Sequence, residues 1–275
     1  MSHLNHRRPI ILLLAVATAF SLTSCGDKQE HKGRWRVNLY GDSLSVEAAP
    51  HMARSLRKGK QAIFVTHAVS GTAPCDWRTD IRRDVARKKV DLAIVEVYGN
   101  NASNCQVKIA GGKRPKLDSP EYWAMYREDI KETIDLFPPS VKVMLVAAPA
   151  ASMDKASGSS HKAHMLDLMT TLANHRDNTF VVDAGSRVEE PKGQFVRIMA
   201  CARPGPCPNH PAKGQAIVRA HDGLHFCPPI MFAKTELLKH CPVIAYGAWR
   251  FGLFQAVKAA RALGINAYPP PLKKA

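Results

Sequence analysis

Apolar residues along the chain gather into five short runs separated by longer amphipathic stretches. The runs are RVNLY (36–40), AIFVTHAV (62–69), VDLAIVEVYG (90–99), VKVMLVAAPA (141–150) and TFVVDAG (179–185). They are rich in Val, Ile and Leu and show little polar alternation, which is the pattern of strands buried on both faces of a parallel sheet. Between them the period lengthens. Residues 76–89 place Ile81 and Val85 four apart, on one helical face. Residues 119–137 open with Ser119 as a cap and Pro120 at the first helical position. Residues 161–176 align Met165, Leu168, Met169 and Leu172, and 245–263 read as a closing helix. Strand and helix alternate, so the predicted class is α/β with a parallel sheet and right-handed crossovers. No internal repeat is visible. Residues 191–220 carry Pro, Gly, Lys and two cysteines and read as a long stapled loop, and the YPPPLKKA end reads as a loose tail.

The first 34 residues break this rhythm. Arg7 and Arg8 precede PIILLLAVATAF, an apolar stretch of secretory length that is too short for a membrane span. It closes on LTSC, residues 22–25, a spacing that resembles the lipobox of bacterial lipoproteins. The resemblance implies a signal peptide over 1–24, lipidation of Cys25 and an extracytoplasmic, membrane-anchored product. An ordinary signal peptide with an incidental cysteine is the alternative, and two arginines alone leave the export route open. Polar residues 25–34 then form a tether, 35–268 a single domain and 269–275 the tail.

Composition narrows the class further. With 275 residues and 45% hydrophobic content, the chain affords a sizeable core. The formal charge is +16, and it falls to +14 when residues 1–24 leave with Arg7 and Arg8. Such an excess favours anionic partners or surfaces. The basic residues are scattered without interleaved aromatics, so nucleic acid is not the expected partner. The other six cysteines are Cys75, Cys105, Cys201, Cys207, Cys227 and Cys241. An even number in an exported chain points to disulfides, although six allow 15 connectivities. Cys75–Cys105, Cys201–Cys207 and Cys227–Cys241 are the expected pairs: the last two are close in sequence, and the first joins two loops that a parallel sheet brings together. Without a CxxC pair, a zinc site is the weaker reading, and neither metal nor cofactor is expected.

Ligand sites in open α/β sheets collect at the carboxyl ends of the strands. The first run ends in GDS with Ser43, the second in VSGT with Gly71, and the third in YGNN with Gly99 and Asn101. Late in the chain comes HDGLHF, with Asp222 and His225. In that order these residues resemble the sequence blocks of the SGNH hydrolase superfamily, also called GDSL esterases. The likeness runs from Ser43 to His225, most of the chain after the tether. It implies a three-layer α/β/α sandwich with a central parallel sheet, flavodoxin-like, and a serine esterase activity. GDSLS carries the implied nucleophile Ser43, SGT the oxyanion glycine Gly71, GNN the oxyanion asparagine Asn101, and DGLH the acid Asp222 and base His225. One departure is that Ala102 follows Asn101 where the block often continues with aspartate, which implies altered packing or specificity. The Gly-x-Ser-x-Gly elbow is not matched, since Ser45 stands at the second glycine's position.

The chemistry requires these types. A serine hydroxyl needs a neighbouring base, histidine can serve near neutral pH, and an aspartate fixes the imidazole tautomer. The backbone N–H groups of Ser43 and Gly71 with the Asn101 amide would receive the oxyanion, aided by a helix dipole if a helix starts after Ser43. Each residue also has a plainer reading as a cap, turn or surface group. Asp42 is expected to order its loop and His221 to lie exposed or behind the acid–base pair. His51, His67, His161 and His164 are read as surface or packing residues, and Trp77 and Trp249 as core anchors. The expected substrate is a small acyl ester or an acylated envelope glycan or lipid, handled by a monomer. An O-acyltransferase using the same serine, or a silent carbohydrate-binding module, are the alternatives.

Overall fold

The computed structural model describes residues 33–97, 100, 103–152, 160–191, 193–202, 206–209, 211–227 and 245–269. Residues 1–24, which the sequence suggests as a signal peptide, together with Cys25, Gly99, Asn101, Ala102, Cys241 and the end of the tail, lie outside the described residues. Five parallel strands form the centre: β1 (Trp35–Tyr40), β2 (Ala62–Thr66), β3 (Leu92–Val97), β4 (Lys142–Ala147) and β5 (Thr179–Asp183). Their order is β2-β1-β3-β4-β5, and one row crosses the sheet through Thr66, Leu39, Ile94, Met144 and Phe180. The expected α/β class and layered sheet are thus present.

Alternate residues of the central strands enter two different cores, because successive side chains leave a strand on opposite faces. Val37, Leu39, Ile94, Met144 and Val146 face one layer, built from α1 (Ser43–Arg57) and the last helix, α6 (Tyr246–Leu263). Ala93, Val95, Val143 and Leu145 face the other, where α2 (Pro74–Ala86), α4 (Pro120–Ile134) and α5 (His161–Ala173) pack. Covering both faces is why β3 is apolar without alternation, apart from one buried glutamate. The edge strand β2 is different: Ile63 and Val65 are exposed, and pairing stops at Thr66 instead of reaching Val69. Trp77 and Trp249 are buried in the two cores, as the sequence reading expected.

Two helices were not legible in the sequence. The buried face of α1 holds Ser45, Ala48, Ala49, His51 and Ser55 beside Leu44, Met52 and Leu56, so small and polar residues blur its period. The six-residue α3 (Asn104–Ile109) is too short to show one. The stretch 191–220 also departs from a plain loop. It shares in two antiparallel ladders, β6 (Glu189–Glu190) with β7 (Gln194–Phe195) and β8 (Ile198–Ala200) with β9 (Gln215–Ile217). Pairings of two or three residues are too brief to leave a periodic signal. The expected staple is present in the connection between β8 and β9, as Cys201 is bonded to Cys207.

Helix α6 approaches the segment after β9 very closely. A Cβ on Gly247 would lie 1.9 Å from the Val218 carbonyl oxygen and 2.8 Å from the Phe226 ring. Gly247→Ala must therefore push the helix away from that segment. Urea denaturation is expected to show a loss of about 1–3 kcal/mol, the usual cost of overpacking.

Candidate active site

At the end of β1 the chain turns through Gly41 and Asp42 directly into α1. A Cβ on Gly41 would sit 2.0 Å from Ser45 Oγ and 3.2 Å from Glu96 Oε2, so the turn closes this tightly only with glycine. Asp42 caps the helix by accepting the Leu44 N–H at 2.9 Å. Ser43 is the first residue of that 15-residue helix, at the positive end of its dipole.

The loop after β2 is stitched to the same turn. The Val69 N–H donates to the Gly41 carbonyl at 3.0 Å, and Thr72 Oγ1 donates to it at 3.3 Å. Between them Gly71 has φ +77°, the left-handed region that glycine tolerates. The loop after β3 joins through Asn100, whose amide donates to Asp42 Oδ2 at 3.0 Å and to the Thr72 carbonyl at 3.3 Å. Tyr126 in turn donates its hydroxyl to the Asn100 carbonyl. The oxyanion expectation fell on Asn101, outside the described residues, while the stitching role of Asn100 left no mark in the sequence blocks. Cys75, in the first turn of α2, is bonded to Cys105, in the first turn of α3, with Cα atoms 6.0 Å apart. The expected bridge thus links the segments that follow the Gly71 and Asn101 loops, and such bridges typically contribute about 2–4 kcal/mol. It also occupies both sulfurs of the Cys75, Asp76 and Cys105 group, the one cluster of metal-ligating types among the described residues. Cys227 is disulfide-bonded as well.

The fourth contribution comes from the loop after β9. Asp222 Oδ1 accepts the N–H groups of Leu224 at 2.9 Å and His225 at 3.0 Å, which folds the loop so that the Asp222 and His225 side chains face one another. Gly223 makes the bend with φ +70°, and its carbonyl accepts the Ser152 N–H at 2.9 Å. Asp222 Oδ2 lies 2.6 Å from His225 Nδ1, and His225 Nε2 lies 2.9 Å from Ser43 Oγ. The contact to Asp222 assigns the ring proton to Nδ1 and leaves the Nε2 lone pair facing the serine hydroxyl. Burial raises the Asp222 carboxyl, but the Leu224 N–H, the His225 ring and the His225 N–H outweigh it, and the net shift is downward. Asp222 therefore stays ionised at neutral pH. His221 sits to the side, 3.1 Å from an Arg197 nitrogen.

Beneath the turn lies a buried acid pair. Glu96, buried near the carboxyl end of β3, accepts the Ser45 hydroxyl at 3.0 Å. Burial, then the neighbouring charge of Asp42, pushes its carboxyl well above the usual range. Glu96 hydrogen-bonds to Asp42, whose own carboxyl is also raised by burial. One turn beyond Ser43, Glu47 Oε2 accepts the Phe226 N–H at 2.7 Å and the Cys227 N–H at 3.2 Å. Burial pushes its carboxyl up to about 8, against the pull of those two N–H groups.

A family model described as "Protein of unknown function (DUF459)" matches residues 36–229, which span β1 through the His225 loop. No curated protein sequence matches the chain. Among solved structures, the lipase/acylhydrolase from Enterococcus faecalis is similar with a TM-score of 0.53 at 14% identity, over 86% of this chain and 98% of that one. That likeness shows the fold. The C-terminal catalytic domain of the Streptococcus pneumoniae peptidoglycan O-acetyltransferase A matches with a TM-score of 0.47 at 14% identity, over 88% and 99%.

The raised carboxyl of Glu47 sets a pH dependence. Between about 4.3, the ordinary glutamate value, and about 8, the unfolded chain ionises Glu47 while the folded chain keeps it protonated. The folded state then binds the extra proton, so this group's contribution falls as pH rises through that window. Glu47→Gln removes the ionisation. Melting temperatures at both ends of the window are expected to show the variant gaining on the native protein as pH increases.

Proposed function

The chain belongs to the DUF459 family, and we propose that this member is an exported, lipid-anchored serine esterase that removes a small acyl group, acetyl first among them, from a cell-envelope carbohydrate or lipid. The observation that carries this reading is the continuous relay from Asp222 through His225 to Ser43, with contacts of 2.6 and 2.9 Å. In the proposed reaction Ser43 Oγ attacks the ester carbonyl as His225 Nε2 takes its proton. The Ser43 and Gly71 N–H groups, with the Asn101 amide, receive the developing oxyanion, and each such donor is typically worth about 2.7–4 kcal/mol. His225 then returns the proton to the departing alcohol, leaving the acyl group on Ser43. Water attacks that ester with His225 again as base, and His225 returns the proton to Ser43 Oγ as the carboxylic acid leaves.

The envelope assignment rests on Cys25 and the apolar segment before it, and the basic charge suits an anionic envelope surface. Every residue of the relay comes from a single chain, so a monomer suffices.

The test is release of p-nitrophenol from acetyl, butyryl and octanoyl esters by the purified protein beside Ser43→Ala. Release that favours acetyl and falls on the order of 10³-fold or more in the variant is the expected result. Equal release by both proteins would overturn the serine mechanism. Including an oligosaccharide acceptor reads the competing outcome, since acyl transfer to sugar in place of hydrolysis would make the protein a transferase. Asp222→Asn, which favours the wrong imidazole tautomer, is expected to lower kcat on the order of 10⁴-fold with little change in KM.

A further inference from the structure

The relay depends on a distance between two parts of the chain 182 residues apart. Ser43 is fixed by α1, whereas His225 is carried by a loop without regular secondary structure. The loop's internal bonds give it shape: Asp222 accepts from Leu224 and His225, and the Ala220 N–H donates to the His225 carbonyl at 2.7 Å. The Ser152 bond to Gly223 ties it to the segment after β4. None of these bonds refers the loop to the helix that holds the nucleophile.

Glu47 does. Residues four apart share a helix face, so the Glu47 side chain rises from the same side of α1 as Ser43. Its Oε2 oxygen takes the N–H groups of Phe226 and Cys227, the two residues that directly follow His225. Both ends of the Ser43–His225 contact are thereby measured from one rigid element. The Phe226 ring packs against Phe251 of α6 at 5.3 Å, and α6 packs on α1 within the same core. We propose that Glu47 is a positioning residue for the reaction, docking the His225 loop onto the nucleophile helix and so setting the reach of the base to Ser43 Oγ. The inference rests on the serine-esterase reading above.

The role needs an acceptor oxygen at the end of an arm of this length, not a charge. Gln presents one, Asp presents one on a shorter arm, and Ala presents none. A misplacement of about 1 Å in a relay of this kind can cost about 100-fold in rate.

The experiment uses the full chain and reads the rate at which a fluorophosphonate labels Ser43, which reports serine activation without any natural substrate. The kcat and KM for p-nitrophenyl acetate and the melting temperature are measured alongside. Glu47→Ala is expected to label about 10- to 100-fold more slowly, with kcat falling in step and KM within about twofold. Glu47→Gln is expected to restore labelling to within about threefold of the native rate. A Glu47 that merely stabilised the fold would shift the melting temperature and leave labelling of the folded protein unchanged, which would overturn the proposal. Failure of Gln to restore the rate, or a change confined to KM, would overturn it as well. If the Ala variant does not fold, Glu47→Asp decides: slower labelling supports the proposal and native labelling rejects it. A folded native protein that is not labelled at all would instead reject the serine-esterase reading itself.

Discussion

The buried carboxylate of Asp42 occupies the point where β1 becomes α1, and the geometry of the site is organised around it. It accepts the Leu44 N–H that starts the helix of Ser43, and it accepts the Asn100 amide from the loop after β3. Asn100 reaches in the same gesture to the Thr72 carbonyl, so the loop after β2 is drawn in as well. A carboxylate this deep is costly unless its lone pairs are engaged. Here Glu96 supplies the remaining partner from below. The ends of three neighbouring strands are thus gathered around one side chain, and Ser43 is the next residue along.

Much of the fold was legible because burial on both faces leaves an unmistakable composition. The centre of β3 is apolar at Leu92, Ala93, Ile94 and Val95 since one alternate set meets α1 and α6 while the other meets α2, α4 and α5. The element that carries Ser43 was the least legible. Helix α1 lies so close to its neighbours that its buried face takes Ala48, Ser45 and Ser55, and small residues carry little hydrophobic period. A Cβ on Gly252 of α6 would meet the Ala48 carbonyl at 2.7 Å, a measure of how near the two helices run.

The site divides in the same way. Ser43, Asp222 and His225 could be read because their chemistry constrains residue type, and the structure brings those three side chains together. Gly71 follows β2 in a left-handed turn fastened to Gly41. Glu47, Glu96 and Asn100 could not be read. Glu47 holds main-chain N–H groups 179 and 180 residues away, and a backbone partner has no side-chain signature in a sequence. Glu96 sits in a strand whose other residues are apolar, where a lone acid has no recognisable spacing. Its meaning comes only from Asp42 and Ser45 arriving beside it in the folded chain.

The Cys75–Cys105 bridge closes a covalent ring 30 residues in sequence separation, and the whole of β3 lies inside it. The strand at the middle of the sheet is therefore held in a closed loop of chain. A protease that cuts once between the two cysteines, in the turn after α2 for instance, cannot release a fragment: both new ends stay attached through the sulfurs. The strand that supports Glu96 then remains tethered to the loops on either side of it and can close back into place, so a single nick there need not dismantle the site.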